Sequence, residues 1–256
     1  MKMSAGSDFW ASWQVAPEFT LVLIGAEYLY LRQLLRNPGW ATGRERRFFL
    51  TGLLSIALVI STPIGVHASD LFWCHMVQHI TLMMISGPLL LLGTPGTFRP
   101  KNRLFQLLTH PIGSWITYAA LMIGVHLPAP HGFIMDHPWA HTFLEIPLYI
   151  AVPYLFYFNL LDRNLTGRRI TPAMSVISLF LMMVPETLTG FFIYVAPHSI
   201  YNGMFVLSDQ RRGGSIMWSG GMIIDTLWMA FAVFHWIKSE ERASIAVDLE
   251  IAKQVR

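Results

Sequence analysis

A chain of 256 residues is long enough for one large or two small soluble domains, but 54% apolar against 13% charged residues excludes both, because so little charge cannot coat a soluble surface of that size. The net charge of +3 does not indicate a nucleic-acid ligand, since Lys and Arg fall in short clusters between apolar runs rather than along one basic face. A single cysteine, Cys74, excludes an intrachain disulfide and any CxxC or four-thiolate metal site.

Residues 1–16 carry Phe9, Trp10 and Trp13 without an apolar core of their own. They read as an outer interfacial segment rather than a cleavable leader. Seven stretches then approach the roughly 20 apolar residues that a membrane span needs. They are 17–35, 48–62, 71–93, 111–127, 138–160, 172–195 and 215–237. The second is short and extends either through Arg47 or to Ile64. Gly87-Pro88 predicts a kink in the third helix, and Pro147, Pro153 and Pro185 predict bends in the fifth and sixth. The expected fold is all-α: one polytopic bundle of seven transmembrane helices over 17–238, followed by a tail, 239–256. That tail predicts a short helix with Ile245, Leu249 and Ala252 on one face.

Loop charges set the expected orientation. Fifteen of the eighteen basic residues fall on one side. They are Arg32, Arg36, Arg44, Arg46, Arg47, Arg99, Lys101, Arg103, Arg163, Arg168, Arg169, Lys238, Arg242, Lys253 and Arg256. Only Lys2, Arg211 and Arg212 fall on the other. The positive-inside rule makes the first side cytoplasmic, so seven crossings put the N-terminus outside and the C-terminus inside.

Eight of the ten histidines lie on the outer side of this topology. His75 and His79 are four residues apart on the third helix, which places them on one face about 6 Å apart along the axis. His137, His141 and Glu145 repeat that spacing at the start of the fifth. Neutral imidazoles at such spacing bind transition metals, and a facing helix supplies further ligands. His126, at the outer end of the fourth helix, is the candidate, and Met76 offers a soft thioether at similar depth. His67, His131 and His198 read as loop residues, and His110 and His235 as interfacial ones.

Four acids fall inside predicted spans: Glu27, Glu145, Glu186 and Asp225. Counted at 1.5 Å per residue, they and His79 lie roughly 10–15 Å below the outer surface. Ionisable groups at that depth face the bundle interior, so the four acids predict a polar cavity open to the outside. Asp209-Gln210-Arg211-Arg212-Gly213-Gly214, just before the seventh helix, reads as an outer re-entry turn, with Asp209, Gln210, Gly213 and Gly214 as its characteristic residues.

His75-Met76-Val77-Gln78-His79, running on to Gly87-Pro88 and Leu92-Gly93-Thr94-Pro95, resembles the signature of the seven-helix CtaG family of cytochrome c oxidase assembly factors. The Asp209-Gln210…Gly213-Gly214…Met217-Trp218 segment and the pair His137/His141 are similar to that family too. The resemblance implies a multi-pass protein of the bacterial cytoplasmic membrane. It also implies that the protein is not an enzyme and that its partners are a cytochrome c oxidase subunit or its assembly intermediates. Copper handling follows as the expected chemistry, with His75, His79, His126, His137, His141 and Met76 as candidate ligands. Two other readings fit the same residues: a copper transporter, which needs polar groups on the cytoplasmic half as well, and a b-type haem electron carrier, which needs histidines on facing helices.

Overall fold

A computed structural model describes residues 7–96, 102–161 and 170–254, and among these every regular element is helical. Of the basic residues that set the expected orientation, Lys2, Arg99, Lys101, Arg163, Arg168, Arg169 and Arg256 lie outside the described residues. In chain order the helices are α1 (Ser7–Ala11), α2 (Pro17–Arg36), α3 (Gly43–Ser61), α4 (Pro63–Val66) and α5 (Phe72–Leu92). They continue with α6 (Arg103–Leu108), α7 (Pro111–Val125), α8 (Pro128–Asp136), α9 (138–160), α10 (Pro172–Val195) and α11 (Leu207–Lys253). Three of them, α5, α10 and α11, are continuous, long and apolar enough to cross a membrane. The pair α7 and α8, bent by 73° at the intervening residues, makes a fourth if counted as one span. Apolar side chains are displayed outward along the bundle, among them Leu21, Ile24 and Leu29 on α2, Phe180 and Phe192 on α10, and Ile223, Leu227 and Phe234 on α11. Exposure on that scale identifies a membrane protein.

The ends of the helices follow local chemistry. α3 starts at Gly43, five residues before the predicted apolar edge, because Thr42 and Glu45 form a reciprocal capping box. Pro occupies the first turn of α2, α7, α8 and α10, where its missing N–H costs nothing. Pro128 also disfavours helical geometry at Leu127, and there the chain turns from α7 into α8.

Three predicted irregularities resolve differently. Gly87-Pro88 does not break α5. The residues before it, Thr81–Ser86, widen into a π-helical turn in which Gly87 N–H reaches back to the Leu82 carbonyl. Pro88 has no N–H for the Met84 carbonyl, and the indole N–H of Trp228 donates to that carbonyl at 2.8 Å. A second π turn, His141–Glu145, stands just ahead of Pro147 in the same way. The re-entry turn at Asp209–Gly214 is not a turn: these residues lie inside α11, which begins at Leu207. The tail is not a separate helix either, since α11 runs unbroken to Lys253.

α5 is the central element. It packs against α3, α9 and the beginning of α11, and its membrane-length window is 67% buried, against 28% for α10 and 22% for α11. Its apolar contribution to the core includes Phe72, Met76, Leu82, Met83, Met84 and Leu91. His75, Gln78 and His79 on α5 are buried, which puts the two histidines where they must find partners or ligands.

Candidate functional site

The first two turns of α5 are fixed from a distance. Asp209 on α11 accepts hydrogen bonds from the backbone N–H groups of Phe72 at 2.7 Å and Trp73 at 3.4 Å, so its carboxylate caps the amino end of α5. Gln210 accepts from Ile200 N–H at 2.9 Å and donates to the carbonyls of Ile193 at 3.2 Å and His198 at 3.5 Å. It thereby ties the loop after α10 to α11. A Cβ on Gly213 would collide with the Phe72 ring, and one on Gly214 would stand 2.7 Å from Tyr194 N, so these glycines permit close helix contact rather than a chain reversal. That is why the segment reads as a turn in one dimension and is helix in three.

Within this frame, histidines from four helices meet. His75 and His79 come from α5, His126 follows the end of α7, His131 lies on α8 and His141 on α9. Edge-to-face contacts join His75 to His131 at 5.2 Å and His79 to His126 at 4.9 Å between ring centroids. His75 and His141 are 5.7 Å apart by the same measure. Glu145, 1% exposed, lies among them, with its oxygens 3.5 Å from His75 Nε2 and 3.7 Å from His141 Nε2. Tyr149 donates to the same carboxylate at 2.5 Å and sets its ring 4.2 Å from that of His79.

The π turn at His141–Glu145 helps place these donors, because it rotates the helix ahead of Pro147 while both side chains still point toward α5. His141 also bonds Gln78 at 3.0 Å through Nε2. His126 donates Nδ1–H to the Met122 carbonyl at 2.5 Å, which leaves Nε2 as its lone-pair nitrogen. Tyr201, from the loop after α10, donates to the His126 carbonyl at 3.2 Å and lies 4.4 Å from the His131 ring. Burial pushes the Tyr201 hydroxyl above its ordinary range, so it remains a donor.

The cluster has much unused bonding capacity. Both ring nitrogens of His75, His79 and His131, with His126 Nε2 and Glu145 Oε2, are buried and have no hydrogen-bond partner. The 3.5 Å approach of His75 to Glu145 is an ion-pair distance and too long for a strong hydrogen bond. Leaving such groups bare costs about 1–3 kcal/mol each. One ligand atom each from His75, His141 and Glu145 falls within 4.8 Å of the others, which fits a transition-metal ion held by two imidazoles and a carboxylate. The site has an approach from the protein surface. A half-open cleft of about 430 Å³, walled by Gln14–Phe19, Ile60, Ser69 and Ile134, reaches Gln78 and His141.

The remaining candidates lie elsewhere. His137 stacks on Phe133 at 4.4 Å and bonds the Phe133 carbonyl through Nδ1, at the junction of α8 and α9. Met76 is fully buried on another face of α5, against Gly213. The four acids do not share one cavity. Glu145 belongs to the histidine cluster, whereas Glu186 and Asp225 are buried beside each other and interact electrostatically with Tyr118 and Tyr157. Glu27 is exposed on the outer side of α2, so depth along a helix did not imply an inward face. His131, Tyr149, Tyr201 and Gln78 are site residues that spacing did not single out. For His131 the available signal was Pro128, which starts a helix where a loop was expected.

Comparison with known proteins agrees with the motifs. The model of a family described as cytochrome c oxidase caa3 assembly factor matches residues 26–239. An uncharacterized protein of Mycobacterium leprae is 22% identical over 263 residues, covering 90% of this chain and 40% of its own length. Uncharacterized proteins of Mycobacterium bovis and Mycobacterium tuberculosis are each 23% identical over 245 residues, covering 83% of this chain and 37% of theirs. The chain thus spans about two-fifths of the length of the curated relatives it matches. No solved structure matches. The chain belongs to the cytochrome c oxidase caa3 assembly factor family.

Proposed function

We propose that this assembly factor binds copper in the buried histidine cluster and presents it, from the outer side of a bacterial cytoplasmic membrane, to a cytochrome c oxidase subunit or an assembly intermediate. The observation that carries the reading is the convergence of His75, His141 and Glu145 within 4.8 Å, amid ring nitrogens that have no protein partner. Imidazole is a good copper ligand in either oxidation state, and one carboxylate lowers the charge of the bound ion. The cleft ending at His141 supports loading and unloading from the side where the helix ends carrying His75 and His126 lie. In this reading the chain crosses the membrane seven times, with its N-terminus outside and its C-terminus in the cytoplasm. The charge asymmetry across its loops supports that topology. A reporter fused after residue 256 is then active only in the cytoplasm.

The test of the copper site is metal analysis of the purified protein beside the variant carrying His75→Ala and His141→Ala. The variant should remain in the membrane, lose bound copper and fail to support oxidase maturation. Normal copper content and normal oxidase in that variant would defeat the proposal.

A further inference from the structure

We propose that the cluster holds two metal positions rather than one, the second being an all-imidazole position made by His79 and His126 behind the position of His75, His141 and Glu145. This rests on the reading of the cluster as a metal site and adds a ligand set to it. The argument starts from the count of free donors. Three ligand atoms suffice for one ion with an exchangeable position, yet His79, His126 and His131 offer three further lone pairs, one per neutral imidazole, on rings with buried, unpartnered nitrogens. Selection for a single ion does not explain that surplus, because each bare nitrogen is a cost that a Phe or Leu would remove.

Geometry divides the donors. His79 and His126 fall outside the set of ligand atoms that His75, His141 and Glu145 bring within 4.8 Å of one another, so as the side chains stand the two pairs do not converge on one ion. The rings of His79 and His126 face each other edge to face at 4.9 Å. The hydrogen bond from His126 Nδ1–H to the Met122 carbonyl fixes the ring and directs its Nε2 lone pair into the cluster, which is how metal-bound histidines are usually oriented. Tyr149 joins the two positions. Its hydroxyl donates to Glu145, while its ring packs on His79. The outer position includes a carboxylate, is therefore anionic, and takes copper in either oxidation state. The inner one is neutral, fully buried and built from two imidazoles, which suits Cu(I), an ion that accepts two-coordination.

The experiment is a Cu(I) titration of the full-length protein in detergent, under reducing conditions and against a competing chelator. Wild type should bind two ions per chain. His126→Gln, whose amide can still bond the Met122 carbonyl, should bind one. The double variant with His141→Ala and Glu145→Gln should also bind one, and combining all three changes should leave none. An unshifted thermal midpoint and a monodisperse gel-filtration peak show that each variant is folded. One ion per wild-type chain, or two ions still bound by His126→Gln, would overturn the second position while leaving the first intact. A wild-type chain that binds no copper at all would instead overturn the proposed function itself.

Discussion

Two polar groups of side chains lie within a few turns of each other in the core of this bundle, and they are built on opposite principles. At Asp209 and Gln210 the polar side chains are used: the carboxylate caps Phe72 and Trp73, and the amide of Gln210 bonds Ile200, Ile193 and His198. At the histidine cluster the buried ring nitrogens of His75, His79 and His131 are left without partners. Buried polar groups are nearly always satisfied in native proteins, so each departure asks for a ligand or a strain. The comparison teaches that motif residues which satisfy one another form a frame, whereas those left wanting form a site. Both carry sequence signatures, but only the second is chemically open.

The contrast gives substitutions of opposite sign. Gln210→Leu, close in volume, strands one backbone N–H and two carbonyls, and should cost about 2–4 kcal/mol, read as a lowered unfolding midpoint in detergent. Gly214→Ala should cost about 1–3 kcal/mol, because the added methyl meets Tyr194 N at 2.7 Å and the Gly190 carbonyl at 2.9 Å, both backbone atoms that cannot swing aside. His131→Phe should be neutral or stabilising by up to about 1 kcal/mol in the metal-free protein, since it removes two unpartnered nitrogens and keeps the ring packed on Phe72 and Tyr201. A loss of more than 2 kcal/mol there would mean that His131 belongs to the frame. Glu27→Gln should change stability by no more than about 0.5 kcal/mol and leave copper content unaltered, because Glu27 touches neither region.

How far the sequence leads can be read from the same residues. Apolar runs locate the long helices well, and the i, i+4 spacing of His75 and His79 on a buried helix correctly points to a shared face. Spacing alone does not say which helix lies opposite. His141 and Glu145 therefore enter the site while His137, four residues earlier, points to Phe133. The Asp-Gln-Arg-Arg-Gly-Gly string has the composition of a turn, and only tertiary hydrogen bonds and close packing make it helical. Glu27 misleads for a related reason. Helix rise gives depth, but which way a side chain points depends on neighbours that one sequence does not reveal, and the face of α2 that carries Glu27 is exposed while Tyr30 is buried and bonds Gly93. His131 was hidden by the 73° corner that folds α8 back over the cluster.

The length of α11 has a mechanical consequence. A continuous helix of 47 residues extends about 70 Å at 1.5 Å per residue, more than twice the roughly 30 Å of hydrocarbon in a bilayer. Its last stretch, with Lys238, Glu240, Glu241, Arg242, Asp248, Glu250 and Lys253, is too charged to be submerged. In the proposed topology the rod anchored at Asp209 beside the histidines projects from the lipid at its far end by about five turns, carrying these charges with it.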